Sequence, residues 1–193
     1  MKKIRTIAAA FALTGLAALA ISPAGRAVAA ATTAAALDSE ARQSLDTLYR
    51  LNPAASSIGQ KAKAILVFPN IVKAGLIFGG AYGEGVLLKG DEARDYYSSV
   101  AGSYGVAGAL PAGARSYGYT VFLMTDTALN SLDSSDGWEF GLGPTLVLVD
   151  QGTADTLPNA PLQADAYVFV YGQQGLMAGI GVTGTKVSKI RKT

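Results

Sequence analysis

The apolar positions change their period part-way along the chain. Ala41, Leu45, Leu48 and Tyr49 recur at i, i+4, i+7 and i+8, which puts them on one face of a helix. Asp38 is placed to cap that helix. Asn52-Pro53 ends it and starts a second, with Pro53 at the first helical position. Ile58, Ala62 and Ile65 repeat the spacing, and Lys61 and Lys63 lie off their stripe. From Leu66 the texture becomes that of strands and glycine. Leu76, Phe78 and Tyr82 alternate with Ile77, Gly79 and Ala81, the period of a half-buried strand. Tyr119 to Met124, Thr145 to Val149 and Ala166 to Tyr171 are short unbroken apolar runs, suited to strands covered on both faces. Thr125 to Leu132 predicts one short helix capped by Thr125 or Asp126. Strands joined by short glycine-bearing turns favour antiparallel neighbours. The pattern predicts one α+β domain, N-terminal helices followed by a curved, mainly antiparallel, glycine-rich β-sheet, with no internal repeat.

Residues 1–29 stand apart. Lys2, Lys3 and Arg5 precede a nearly unbroken apolar run from Ile7 to Ile21, and Ala27-Val28-Ala29 follows as an A-x-A site. These are the three parts of a cleaved secretory signal peptide. The run is shorter than the ~20 residues of a spanning helix, which argues against an uncleaved anchor. No twin arginine and no cysteine at the cut point to the folded-protein export route or a lipoprotein anchor. Residues 30–36, all alanine and threonine, read as a flexible remnant, and 37–193 as the folded domain. The expected location is periplasmic or secreted. A transmembrane β-barrel is the rival architecture for an exported, tyrosine-rich chain, but its strands need roughly 9–11 residues with one apolar stripe. The runs here are shorter and continuous, and the chain ends in basic residues.

Charge and composition then exclude several classes. The whole chain carries sixteen cations and fourteen acids. Lys2, Lys3, Arg5 and Arg26 belong to the leader, so twelve cations face fourteen acids afterwards, net −2. Nucleic-acid binding, which needs a basic footprint, is not expected. There is no histidine and no cysteine. Disulfides, thiol chemistry, the common zinc sites and Ser–His–Asp or Cys–His nucleophiles are thereby excluded. No cofactor is expected.

The motifs have competing readings. Gly179-Ile180-Gly181-Val182-Thr183-Gly184 spells G-x-G-x-x-G, but nine residues after Gly184 leave no room for the βαβ unit a dinucleotide site requires. The cluster from Gly79 through Gly80, Tyr82 and Gly83 to Gly85 reads as a loop whose amides approach a phosphate or head group, or as a hairpin with a bulge. Glu84, between two glycines, reads as a solvated turn carboxylate, with a catalytic role as the alternative. Asp126, Asp133, Asp136, Glu139, Asp150, Asp155 and Asp165 fill a stretch without one base. They lack the rest of a calcium loop and specify no reacting pair. Lys186, Lys189, Arg191 and Lys192 crowd the last eight residues, and Lys61, Lys63 and Lys73 form a looser group. Such clusters meet anionic head groups at up to about 1 kcal/mol per cation, or are a solvated terminus.

Taken in order, these strings resemble the SYLF domain family. The pieces are Ile65-Leu66-Val67-Phe68-Pro69, Lys73-Ala74-Gly75, the glycines from Gly79 to Gly85, Tyr96-Tyr97, Gly102-Ser103-Tyr104-Gly105, Phe122-Leu123-Met124-Thr125, Gly137-Trp138-Glu139 and Tyr171-Gly172-Gln173-Gln174-Gly175-Leu176-Met177. The resemblance runs from about Leu37 to the C-terminus. It implies a non-enzymatic domain that binds phospholipid or a membrane surface, with Lys61, Lys63, Lys73, Gly79, Gly80, Tyr82, Gly83, Tyr104 and the C-terminal cations as candidate contacts. It leaves protein partners unspecified. Two departures bear on the eukaryotic branch's phosphoinositide and actin binding. A signal peptide and a mixed-charge helix occupy the place of that branch's membrane-entering helix, and Tyr97-Ser98 is followed by Ser99-Val100 without proline. A structural or protein-interaction module without lipid is the alternative.

Overall fold

The computed structural model describes residues 32–74, 79–103, 116–134, 136–157, 161–172, 175–176, 182 and 184–192. Residues 1–31, Tyr104 and the segment 177–181 lie outside them.

Helix α1 (Ala34–Leu51) begins earlier than its apolar stripe does. The Thr33 hydroxyl, not Asp38, caps it by accepting from the Ala36 amide at 3.3 Å. The alanines of the expected flexible segment are the strongest helix formers, so a capping threonine is enough to recruit them. Helix α2 (Pro53–Gly59) starts with proline in its first turn behind an Asn52 cap, whose side chain accepts from Ala55 at 3.1 Å. Helix α3 (Asp126–Leu132) is capped by Thr125. Helix α4 (Gln151–Thr156), capped by Asp150, carries no amphipathic repeat long enough to announce it in the sequence.

The strands are β1 (Ala64–Ala74), β2 (Gly79–Lys89), β3 (Glu92–Ser103), β4 (Ser116–Leu123), β5 (Trp138–Glu139), β6 (Leu146–Val149), β7 (Ala166–Gly172), β8 (Gly175–Leu176) and β9 (Thr185–Ile190). They form one sheet in the order β5-β9-β3-β2-β1-β4-β7-β6, with β8 hairpinned onto β7. Every pairing is antiparallel except β6 with β7. The two outermost strands, β5 and β6, are joined by residues 140–145 alone. That connection spans at most ~25 Å, whereas eight strands laid flat would extend about 34 Å at the usual spacing. The sheet is therefore curled.

Both faces are covered, which is why the apolar runs lack alternation. Leu66, Phe68, Tyr119, Val121, Val168 and Val170 enter one core with α3 residues Ala128 and Leu132. Their neighbours Val67, Phe122, Phe169 and Tyr167 enter a second core under α1, α2 and α4. A continuous run thus fills two cores by turns.

Strand β1 slips register by one residue against β2 between Val67 and Asn70, and against β4 between Phe68 and Ile71. Both slips bracket Pro69, which has no amide proton to give a ladder. The extra residue keeps Phe68 and Ile71 in the same core. It also brings backbone close to β2: a Cβ on Gly83 would lie 2.5 Å from the Asn70 carbonyl, and one on Gly85 2.6 Å from that of Val67. The glycine cluster is accordingly neither a loop nor a hairpin turn. It is strand, paired on one side with β1 and on the other with β3. Its amides belong to the sheet ladders, so the phosphate-cradle reading of Gly79, Gly80 and Gly83 gives way to close backbone packing.

Candidate functional site

Pairing register places Ser116, Val72, Tyr82, Val100 and Lys186 opposite one another on five neighbouring strands, β4, β1, β2, β3 and β9. All stand on the face under α1, two residues at a time from groups buried there: Tyr82 precedes Glu84 and Val86 in the same alternation. Yet Val72, Tyr82 and Val100 are 50%, 51% and 50% exposed. Two residues along the same face of β2, Glu84 is instead enclosed: the Lys192 ammonium that it holds also donates at 2.8 Å to the carbonyl of Thr32, just ahead of the α1 cap. Beyond the row the same face carries the exposed Gly80 and Gly102, and nothing lies within 4 Å of a Cβ built on Gly102. The result is a band of apolar side chains on an open sheet face, with glycine outside it and a helix inside it.

Glu84 forms the inner border. Its carboxylate holds the Lys192 ammonium and accepts from the Tyr82 hydroxyl at 3.1 Å. Only 6% of the Lys192 side chain and 19% of the Glu84 side chain remain exposed. Burial, then the Glu84 charge and hydrogen bond, push the Tyr82 hydroxyl above the usual tyrosine range, so it stays a donor.

The C-terminal cations do not form one patch. Lys186 and Lys189 belong to strand β9, whose two-residue period sends them to opposite faces, and Arg191 and Lys192 follow its end. Lys186 is exposed beside the apolar row, between Val100 on β3 and Glu139 on β5. Lys189 points to the opposite face, bonded to Asp95 at 2.8 Å and Asp133 at 3.5 Å. The Asp95 hydrogen bond foremost raises its pKa. Lys192 is consumed by Glu84, and Arg191 is exposed. Lys63 is far along the sheet and pairs with Asp126 at 2.6 Å, while Lys61 is exposed in the turn after α2. Lys73 is at the β1 position paired with Ala81, one residue on from Val72. The sheet therefore gathers Tyr82, Gly80 and Lys186 out of the expected contacts and leaves Lys61, Lys63 and Lys189 elsewhere.

The acids have local partners as well. Asp165 accepts from the Thr125 hydroxyl at 2.7 Å and from the Thr145 amide and hydroxyl at 2.8 and 2.7 Å. These bonds, that of Thr125 first, hold its pKa below the usual carboxylate range. Among the described residues no three carboxylates gather as a metal site would require.

No protein-family model matches this chain, and no curated protein matches its sequence. Its functional reading therefore rests on its own geometry. No helix among the described residues is long and apolar enough to cross a membrane.

Val72 and Val100 were not legible as site residues. Each sits in a strand where valine is ordinary core material, and only the register across four strand pairings sets them side by side.

Proposed function

We propose that this protein is an exported, non-enzymatic phospholipid-binding protein of the bacterial cell envelope, a SYLF-type domain that meets the bilayer through Val72, Tyr82 and Val100. The observation that carries the reading is that row: three half-exposed apolar side chains in cross-strand register, followed by the exposed Lys186, whose partner on β5 is Glu139. An aromatic with its polar tip anchored and its ring free suits the boundary between head groups and acyl chains. The lysine beside the row suits anionic head groups. The leader, with its positive start, short apolar run and A-x-A site, supports cleavage after Ala29 and a periplasmic or secreted location.

Magnitudes define what kind of binding this is. Burying the exposed halves of three such side chains contributes about 3 kcal/mol, and one lysine near an anionic surface about 1 kcal/mol. The sum corresponds to a partition constant of roughly 10³ M⁻¹. This is a peripheral, reversible contact, weaker than a single myristoyl anchor at about 10⁴ M⁻¹.

Flotation of the mature chain with phosphatidylglycerol-containing vesicles tests the proposal. Wild type is expected to float at low salt, and Tyr82→Ser/Val100→Ser to remain at the bottom with unchanged circular dichroism. Wild type that floats with no bacterial phospholipid would overturn lipid binding and leave the row as a protein-interaction surface.

A further inference from the structure

Beside the apolar row, on the same face, lies an open groove of about 460 Å³ between α1, the bulged middle of β1, the start of β4 and the end of β7. Its continuity with the row is direct, because Ser116 on its wall is the register partner of Val72 and Asn70 precedes Val72 by one alternation. The floor is rigid. The Tyr171 hydroxyl bonds Ser44 at 2.8 Å and Thr120 at 3.0 Å, so the ring is held at both sides of its tip. Gly118 leaves room for that ring, since a Cβ there would meet Tyr171 Cε2 at 3.0 Å. The walls set polar groups and the single Glu40 carboxylate beside the apolar surface of Pro69 and Tyr117. Glu40 and Gln43 come from α1, Asn70 and Ser116 from the sheet, and no lysine or arginine lines the groove. Among the described residues, Glu40, Asn70 and Ser116 spend no side-chain hydrogen bond on another protein group.

That donor and acceptor set selects its ligand. A phosphate would enter facing the Glu40 carboxylate with no cation to offset the repulsion. Adjacent hydroxyls, by contrast, donate in pairs to a carboxylate, and carboxamides and hydroxyls both give and accept hydrogen bonds. We infer that this groove binds a neutral polyhydroxylated group, a glycosyl unit, presented either as a glycolipid head group or as a free saccharide. The head-group case rests on the lipid reading above, because the row then lies on the bilayer and the groove faces the head-group layer.

The test uses the mature chain and phosphatidylcholine vesicles with or without monogalactosyl diacylglycerol, alongside soluble methyl β-galactoside followed by amide and side-chain NMR shifts. The glycolipid is expected to raise the bound fraction. Asn70→Ala and Glu40→Gln should each reduce that gain by a factor of ~2–10, the value of one or two hydrogen bonds, and leave flotation on phosphatidylglycerol vesicles unchanged. Soluble galactoside that shifts Asn70 and Ser116 resonances without a glycolipid gain also supports the groove, with a free saccharide as its ligand. No glycolipid gain and no galactoside-dependent shift would overturn the inference, while continued flotation on phosphatidylglycerol would leave the lipid reading standing. If wild type floats on no vesicle, the lipid reading falls and the galactoside shifts alone decide the groove.

Discussion

The ammonium of Lys192, the penultimate residue, is held by the carboxylate of Glu84, 108 positions earlier in the chain. The pair joins the C-terminus to the middle of β2, and through the Thr32 carbonyl to the start of α1. It is enclosed, with 6% and 19% of the two side chains exposed. Removing one partner leaves the other charge nearly buried, which costs about 3 kcal/mol or more in comparable pairs. Lys192→Met and Glu84→Gln are each expected to lower the urea midpoint by an amount of this order. The double variant should lose clearly less than the sum. Additive losses in the urea cycle would show that the pair carries no coupling.

Lys186 and Lys189 make a second comparison, because they are three residues apart and on opposite faces. Lys186→Glu should weaken flotation on anionic vesicles by more than the ~1 kcal/mol of a simple neutralisation. Lys189→Glu should leave flotation near wild type and instead lower stability by setting three acids together, Asp95, Asp133 and the new carboxylate. Equal effects of the two variants on flotation would mean that the strand does not orient the cations as described.

The glycines of β2 and β3 should differ sharply in tolerance. Gly83→Ala drives a Cβ to 2.5 Å from a backbone carbonyl and should cost about 1–3 kcal/mol by overpacking. Gly102→Ala, with nothing within 4 Å, should stay within about 0.5 kcal/mol of wild type. Thermal melts of the two variants check this directly.

Asp165 and the buried tyrosines set the two limbs of the pH profile. The Asp165 pKa is lowered in the fold, so its contribution is present above the ordinary carboxylate value of about 3.9 and is lost as pH falls through the folded one. Asp165→Asn should flatten the acid limb of a melting-temperature profile. Tyr119, fully buried and donating to Ser99 at 2.7 Å, is pushed up by burial, and Tyr49 is raised to about 12. Stability that depends on their protonation is complete below about pH 10 and declines above it, as the unfolded tyrosines ionise first. Ultraviolet titration should show a class of tyrosines that ionises only with alkaline unfolding. A single tyrosinate transition near pH 10 before any unfolding would contradict the burial.

The sequence by itself determined the α+β class, helices α1 to α3 and the doubly covered strands of the core. Helical spacing from Ala41 to Tyr49, the proline after Asn52 and the threonine before Asp126 depend on contacts within a few residues, so they were readable without tertiary information. The unbroken runs of β4 and β7 announced two covered faces for the same local reason. Tertiary structure alone decided the surface. Sequence proximity grouped Lys186, Lys189 and Lys192, but pairing with β3 sent Lys186 and Lys189 to opposite faces, and Lys192, past the end of β9, entered the Glu84 pair. Val72, Tyr82 and Val100 lie far apart in the chain and became neighbours only through register, itself set by the bulge at Pro69. The enclosed Glu84 beside them meets the chain where α1 begins, and α1 begins at a threonine cap ahead of its own apolar stripe. A local pattern encodes which residues need a partner; which of them go without one is fixed by the distances between elements.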